Sequence, residues 1–157
     1  MSKFKLIMLL LGFPWLMEAQ VVSSHEQTTI NDSKSTPDSI FKGKIFNDEN
    51  HVYIVMDFYQ QNILVPGQEI FGVIPGYLGD QNDYRKWLFP SVEITKKNIA
   101  KIEIINDYGS EDLKATLIYH PQDSIYTLEQ EEGRNIKIAV NRKWVKLPHK
   151  LNFKKCK

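Results

Sequence analysis

Hydrophobic and polar residues alternate along most of the stretch from Ile99 to Val140. Turn-forming residues interrupt the alternation at 106–110, 120–123 and 132–133. A period of two that is broken by turns about every eight to twelve residues is typical of short antiparallel strands joined by tight turns. The stretch therefore predicts a β-meander, whose apolar face carries Ala100, Ile102, Ile104, Leu113, Ala115, Leu117, Tyr119, Tyr126, Leu128, Ile136, Ile138 and Val140.

The rest of the chain adds strands of the same kind. Further strands are expected at 41–45, 52–58, 63–65, 69–74, 144–147 and 151–153. Residues 87–90 are interpreted as an edge strand because of Pro90. Pro66-Gly67 supplies a tight turn between two of them, and Pro148 separates the last two. Short strands in sequence, linked mostly by tight turns, favour an all-β fold in which an antiparallel meander closes into a small up-and-down barrel of about 8–10 strands, because closure removes exposed sheet edges.

Five segments carry a resemblance to known barrels: Phe41-x-Gly43-x-Ile45, 52–58 and Val65-Pro66-Gly67 at the start, then Trp144 and Leu151-Asn152-Phe153 at the end. This pattern resembles small secreted barrels of the lipocalin and avidin type, and the chain is similar to uncharacterised exported proteins of Gram-negative bacteria. The resemblance covers about residues 41–155 and implies a lipocalin-like barrel. The chain departs from lipocalins in lacking Gly-x-Trp on the first strand and any disulfide, so no ligand-binding residue is transferred from them.

Residues 1–19 have the layout of a secretory signal peptide. Lys3 and Lys5 precede an apolar run of about twelve residues, shorter than the roughly twenty that span a bilayer, and Ala19 is a small residue at the cleavage edge. Residues 20–38 are polar and are expected to form a disordered spacer before a single domain at 39–157. The protein is therefore expected to be exported, to the periplasm or beyond, without a transmembrane segment. Asn31 begins an N-glycosylation sequon, which matters only in a eukaryotic host.

The composition excludes several functional classes. A net charge of +1 gives no argument for a nucleic-acid partner, and the single cysteine, Cys156, precludes an intramolecular disulfide. The histidines do not have metal-ligand spacing, and the carboxylates of Asp107, Glu111 and Asp112 lack the alternate-position pattern of a calcium loop. No nucleophile elbow or glycine-rich phosphate loop is present in the sequence. We therefore expect no enzymatic activity, no cofactor and no metal site.

The stretch 75–91 has neither a helical nor a strand period, and predicts a long loop between Ile74 and Val92. It carries aromatic and charged residues of the types that dominate protein-binding hot spots: Tyr77, Asp80, Asp83, Tyr84, Arg85 and Trp87. One interpretation is a partner-binding loop with Trp87 at the surface. The other is a loop folded back to plug the barrel. Trp144, on a regular alternating segment, is expected in the core.

Opposite charges are separated along the second half of the chain. Residues 103–132 hold eight acidic side chains and one lysine, whereas 134–157 hold nine basic side chains and no acid. Because consecutive strands of a meander pair, cross-strand charge matching is one interpretation. The other is a basic surface at Arg142, Lys143 and Lys146 that meets an anionic partner, such as an acidic protein or a membrane headgroup.

Two functions remain open from the sequence. The first is a non-enzymatic, inhibitor- or immunity-like protein that binds another protein through the 75–91 loop. The second is a carrier of a small apolar ligand inside the barrel, lined by Val52, Ile54, Met56 and Phe58 or by the opposite face of that strand. A filled barrel favours the first and a continuous cavity favours the second.

Overall fold

Eight antiparallel strands close into a barrel in the computed structural model, which describes residues 39–107 and 111–156. The described residues form these eight strands and two additional hairpins, β3–β4 and β10–β11. In chain order the strands are β1 (Lys42–Asn47), β2 (Val52–Asp57), β3 (Ile63–Leu64), β4 (Val73–Ile74), β5 (Gly76–Asp80), β6 (Lys86–Lys96), β7 (Ile99–Asn106), β8 (Asp112–His120), β9 (Ile125–Gly133), β10 (Lys137–Val140), β11 (Lys143–Lys146) and β12 (Lys150–Lys155). Around the barrel the order is β1, β2, β5, β6, β7, β8, β9, β12 and back to β1. The predicted up-and-down barrel is confirmed. The predicted signal peptide and spacer lie outside the described residues.

The predicted meander forms β7, β8 and β9, and its apolar face points into the barrel. Ala100, Ile102 and Ile104 of β7 are buried, as are Leu113, Ala115 and Leu117 of β8. The alternation follows from the pleat, which sends successive side chains to opposite faces of the sheet. The prediction was wrong for 136–140, because β10 leaves the barrel and pairs with β11 instead of continuing the meander.

Large aromatic side chains occupy the barrel interior. Phe41, Phe58, Phe89, Tyr126 and Phe153 are all buried in one core cluster. Phe58 stacks on Phe41, with ring centroids 5.5 Å apart, and meets Phe89 edge-on at 6.4 Å. The Tyr126 hydroxyl donates a hydrogen bond of 2.7 Å to the carbonyl of Ile40, and burial raises the pKa of this phenol. The buried polar tip thus has a partner, as burial requires.

The hairpin of β3 and β4 packs on the outer wall of the barrel. Val65 and Ile74 form a second buried cluster with Tyr77 of β5 and Leu88 of β6. Both faces of β5 are therefore buried, one by the core and one by this hairpin, and period-two alternation disappears when a strand is covered on both sides. For this reason the predicted 75–91 loop was wrong: β5 and β6 occupy most of it, and the loop is only 81–85.

Three further expectations for individual segments were wrong. The predicted strand at 69–74 is a 3₁₀ turn at Glu69–Phe71 followed by the two-residue β4. Pro90 was expected on an edge strand, but β6 lies between β5 and β7, and the proline falls where the register shifts between Leu88 and Ser91. A proline is tolerated at such a bulge because its missing N–H breaks no ladder bond there. The predicted closing strand at 144–147 belongs to the β10–β11 hairpin, and β12 alone closes the barrel.

Two glycines allow β5 to approach β2 closely. A Cβ on Gly76 would lie 2.5 Å from the carbonyl oxygen of Val55, and a Cβ on Gly79 would lie 2.5 Å from Cζ of Tyr53. Tyr53 is the register partner of Gly79, so the tyrosine ring covers the glycine across the strands. Tyr53 also packs against the outer cluster that contains Val65 and Ile74 of the β3–β4 hairpin segment.

The seam that closes the barrel is short. Strand β1 pairs with β12 through Ile45 opposite Lys155 and Phe46 opposite Lys154. A side chain extends the seam, because Nδ2 of buried Asn47 donates to the carbonyl of Asn152 at 2.8 Å.

Among the described residues, no helix has the length and apolar character needed to span a membrane.

Candidate functional site

The β10–β11 hairpin covers one end of the barrel. Because neighbouring barrel strands are antiparallel, this hairpin lies at the same end as loop 81–85, between β5 and β6, and the connection from β7 to β8. Ile136, Ile138 and Leu147 of the hairpin segment are buried in the barrel core. The Leu147 N–H donates to the Ile136 carbonyl at 2.8 Å, which joins the two ends of the hairpin. The hairpin is thus anchored by its base while its tip remains at the surface.

A cleft of about 380 Å³ lies between this hairpin and the two neighbouring connections. Its volume is in the range of sites that hold a small ligand or an anchoring side chain. Charged residues of both signs and two tryptophans line it: Leu78, Asp80, Asp83, Arg85, Lys86, Trp87, Asn106, Asp107, Glu111, Lys137, Ile138, Ala139, Trp144 and Lys146. A second depression of about 490 Å³ shares Asp80, Asp83 and Arg85 with the cleft and extends to Arg142 at the hairpin tip.

Trp144 has the opposite environment from the one expected, and Trp87 is buried, as in the interpretation of a segment that folds back on the barrel core. Trp87 is 6% exposed, and its indole N–H donates to the Lys137 carbonyl at 3.0 Å. Trp144 is 57% exposed. The expectation that Trp144 belongs to the core was wrong because β11 is not a barrel strand. Trp87 points inward because it alternates with Leu88, which faces the outer cluster. Trp87 therefore forms the floor of the cleft and Trp144 part of its wall.

An ion pair holds the arginine that contacts Trp144. The guanidinium of Arg85 lies over the Trp144 ring, 4.3 Å from its centroid. Its Nε donates to Oδ1 of Asp83 at 2.6 Å, and Nη2 donates to Oδ2 of the same carboxylate. The hydrogen bond from Arg85 lowers the pKa of Asp83 to about 2. A two-point contact of this kind fixes the plane of the guanidinium, so the arginine, the aspartate and the tryptophan form one preorganised cluster.

Lys86 is a buried cation at the edge of the cleft. Its Nζ donates to the Tyr84 carbonyl at 2.8 Å, and burial lowers its pKa, while the nearby carboxylates of Asp107, Asp83 and Asp80 act in the opposite direction. The Asp107 carboxylate also accepts the backbone N–H of Lys86 at 3.0 Å. These contacts give loop 81–85 a defined conformation.

Charge matching accounts for only part of the basic segment. Lys150 pairs with Glu129 at 2.7 Å across β12 and β9, and Lys137 pairs with Glu111 at the same distance across the cleft. Arg142, Lys143 and Lys146 are exposed and have no ion pair within 39–107 and 111–156. The two ion pairs agree with the interpretation of charge matching, and the three exposed cations agree with the interpretation of a basic surface.

The residues proposed from the sequence separate into three groups. Asp80, Asp83, Arg85 and Trp87 line the cleft. Tyr84 is 80% exposed on loop 81–85 beside it. Tyr77 is buried under the β3–β4 hairpin on the outer wall, where burial raises its pKa to about 12, and it does not line the cleft.

Sequence reasoning missed several residues of the cleft. Trp144, Lys137 and Glu111 line it together with the expected residues. The only sequence signal for Lys137 and Trp144 is the alternation of 136–147, which is the same for a barrel strand and for a hairpin that caps the barrel. Glu111 entered the sequence argument only as one of three carboxylates that lack a calcium-loop pattern. Across the part of the chain that the structure describes, no three His, Cys, Asp or Glu side chains are grouped so as to hold a metal ion. Comparisons of the chain with protein-family models, curated proteins and solved structures find no match.

Proposed function

We propose that this is an exported, non-enzymatic binding protein that engages another protein through loop 81–85 and the β10–β11 hairpin. The observation that carries the proposal is the pair of exposed aromatic side chains, Tyr84 and Trp144, beside the stacked guanidinium of Arg85. Tyrosine, tryptophan and arginine dominate binding hot spots because they bury a large area with few rotatable bonds and keep a polar tip. The cleft next to them offers a pocket for a partner's anchoring side chain.

The rigidity of this region supports the proposal. Asp83 orients Arg85, and Lys86 holds the backbone of Tyr84. Affinity depends strongly on how little freedom is lost on binding, so a surface that is already fixed binds more tightly than a mobile one of equal area.

The alternative, a carrier of an apolar ligand inside the barrel, has less support. The side chains that would line such a site, among them Ile54, Met56 and Phe58, pack against one another and against Phe41 and Phe89 in the core. The export part of the proposal rests on the layout of residues 1–19.

The proposal is tested by capture of proteins from a cell-envelope extract of the host with the tagged protein. Trp144→Ser and Tyr84→Ser remove exposed rings without opening a cavity in the core. Ile94→Ser, on an exposed part of β6 toward the other end of the barrel, is the matched control. We expect a specific protein to be captured by the wild type and by Ile94→Ser, and to bind Trp144→Ser at least about 30-fold more weakly, the effect of losing about 2 kcal/mol at a hot spot. Capture of no protein, or equal capture by all variants, would contradict the proposal.

A further inference from the structure

The tip of the β10–β11 hairpin has an unfavourable backbone conformation. Asn141 and Arg142 have φ angles of 50° and 63°, and they connect Val140 and Lys143, which are directly paired. A two-residue hairpin turn with both φ angles positive favours Asn followed by Gly. Asn141 satisfies this preference, but Arg142 occupies the position where glycine is strongly favoured, at a cost in strain. A strained residue of this kind is a reason to look for a function of its side chain.

The base of the same hairpin contains a second unfavourable feature. Lys137 and Lys146 are directly opposite each other in the β10–β11 register, and both line the cleft. Like charges in directly opposed positions destabilise a strand pair. Glu111 neutralises Lys137 at 2.7 Å, whereas Lys146 has no ion pair within the described ranges. The hairpin would be more stable with a neutral residue at 146.

The carboxylates of the cleft are already engaged within the protein. Asp83 binds Arg85, Glu111 binds Lys137, and Asp80 accepts the N–H of Asn82 at 2.8 Å. Arg142, Lys143 and Lys146 are exposed and have no ion pair within the described ranges, so these three charges of the hairpin remain available to a partner. From 142 to 146 the hairpin extends about 13 Å, the length of about four residues of an extended peptide.

We propose that the β10–β11 hairpin recognises an acidic segment of the partner protein, with Lys146 at the cleft and Arg142 at the hairpin tip as its anion-binding groups. This inference rests on the proposed function and specifies the chemistry of the partner. Arginine and lysine form charge-assisted hydrogen bonds with carboxylates. A peptide segment fits better than a lipid surface, because Lys146 and Arg142 border concave depressions that a narrow extended chain can enter and a flat membrane cannot.

The test measures binding of a fluorescein-labelled deca-glutamate peptide to the full chain at low ionic strength. Lys146→Gln and Arg142→Gly should each weaken binding about fivefold, which is the effect of losing one exposed ion pair. Lys154→Gln removes the same charge from β12 near the opposite end of the barrel and should leave binding unchanged. The melting temperature of Arg142→Gly should stay the same or rise by up to about 4 °C, because the glycine relieves the strained turn. If Arg142→Gly binds the peptide more weakly but does not melt at a lower temperature, the substitution affects recognition and not stability.

Three outcomes would overturn the inference: absence of peptide binding, equal weakening by Lys154→Gln and Lys146→Gln, or binding of phosphatidylserine vesicles in preference to the peptide. The last result would assign the hairpin to a lipid surface. Failure of this inference can be distinguished from failure of the proposed function. Capture of a protein that depends on Trp144 but not on Lys146 or Arg142 would leave the proposed function standing and remove only the acidic segment.

Discussion

We expect the free energy of unfolding to depend strongly on Trp87 and only weakly on Trp144, two side chains at the hairpin end of the barrel. Trp87→Ala should lower the free energy of unfolding by about 3–5 kcal/mol, the usual range for deleting a buried large aromatic side chain. It also leaves the Lys137 carbonyl without the indole donor that now lies 3.0 Å away. Trp144→Ala should cost less than about 1 kcal/mol because its ring is mostly in solvent. Urea unfolding of the two variants checks this, and a larger loss for Trp144→Ala would contradict the positions of both rings.

The ion pair of Asp83 and Arg85 should make stability dependent on acid pH. The pKa of Asp83 is lowered to about 2 in the folded protein, against about 3.9 in an unfolded chain. A carboxylate with a depressed folded pKa stabilises the fold above its unfolded pKa, and this contribution is lost as the pH falls through the folded pKa. We expect wild type to exceed Asp83→Asn by about 1 kcal/mol near pH 5, allowing for screening of a partly exposed pair, and by almost nothing near pH 2.

The comparison is made by urea unfolding from about pH 5 to about pH 2. In an Arg85→Met background the arginine is absent, so Asp83→Asn should have little pH-dependent effect. If the difference between wild type and Asp83→Asn persists at the lowest pH, the ion pair is not its cause.

Among the elements, the contact of β5 with β2 depends on two glycines with different neighbours. A Cβ at Gly76 would meet backbone atoms of Val55 and Met56, which cannot move without shifting β2, so Gly76→Ala should cost about 1–3 kcal/mol. The three atoms nearest to a Cβ at Gly79 would all belong to the side chain of Tyr53, which can rotate aside. Gly79→Ala should therefore cost less, and Tyr53→Leu should remove most of that cost. Chemical denaturation of the three variants and the double variant measures this, and an equal cost for both glycines would contradict the argument.

At the scale of elements, period-two alternation predicted β7, β8 and β9 well because one face of each strand is buried and the other is solvated. It failed at β5 and the start of β6, where the β3–β4 hairpin buries the second face and removes the alternation. It also placed β10 and β11 in the barrel, because alternation records which face is buried and not which strand is the neighbour. The order of strands around a closed barrel depends on long-range pairing that no local pattern contains.

Across the whole molecule, the fold class was easier to predict than the site. Part of the site came from residue types alone: Asp80, Asp83, Arg85 and Trp87 were singled out from one segment, and all four line the cleft. The other half of the cleft comes from the β7–β8 connection and from β10 and β11, which are distant in sequence. Tyr77 was wrongly grouped with them, because the direction of its side chain depends on a hairpin that packs outside the barrel.

The filled interior leads to a prediction that separates the two functions considered from the sequence. An eight-stranded barrel has room either for packed side chains or for one small ligand. Here Phe41, Phe58, Phe89, Tyr126 and Phe153 occupy that room. Titration of the wild type with the apolar fluorophore N-phenyl-1-naphthylamine should therefore give no saturable increase in emission.

Phe89→Ala provides the matched variant for this experiment. It should cost about 3–5 kcal/mol and leave an apolar cavity in the interior, and buried apolar cavities of about 150 Å³ can bind benzene-sized molecules. We expect this variant, if it remains folded by circular dichroism, to bind benzene in a thermal-shift assay, whereas the wild type should show no shift. Saturable one-to-one binding of the fluorophore by the wild type, with the same affinity in Trp144→Ser, would mean that the aromatic core and not the cleft takes up the ligand. The carrier would then replace the protein binder as the better proposal, because a ligand would be displacing side chains that the fold otherwise keeps in contact.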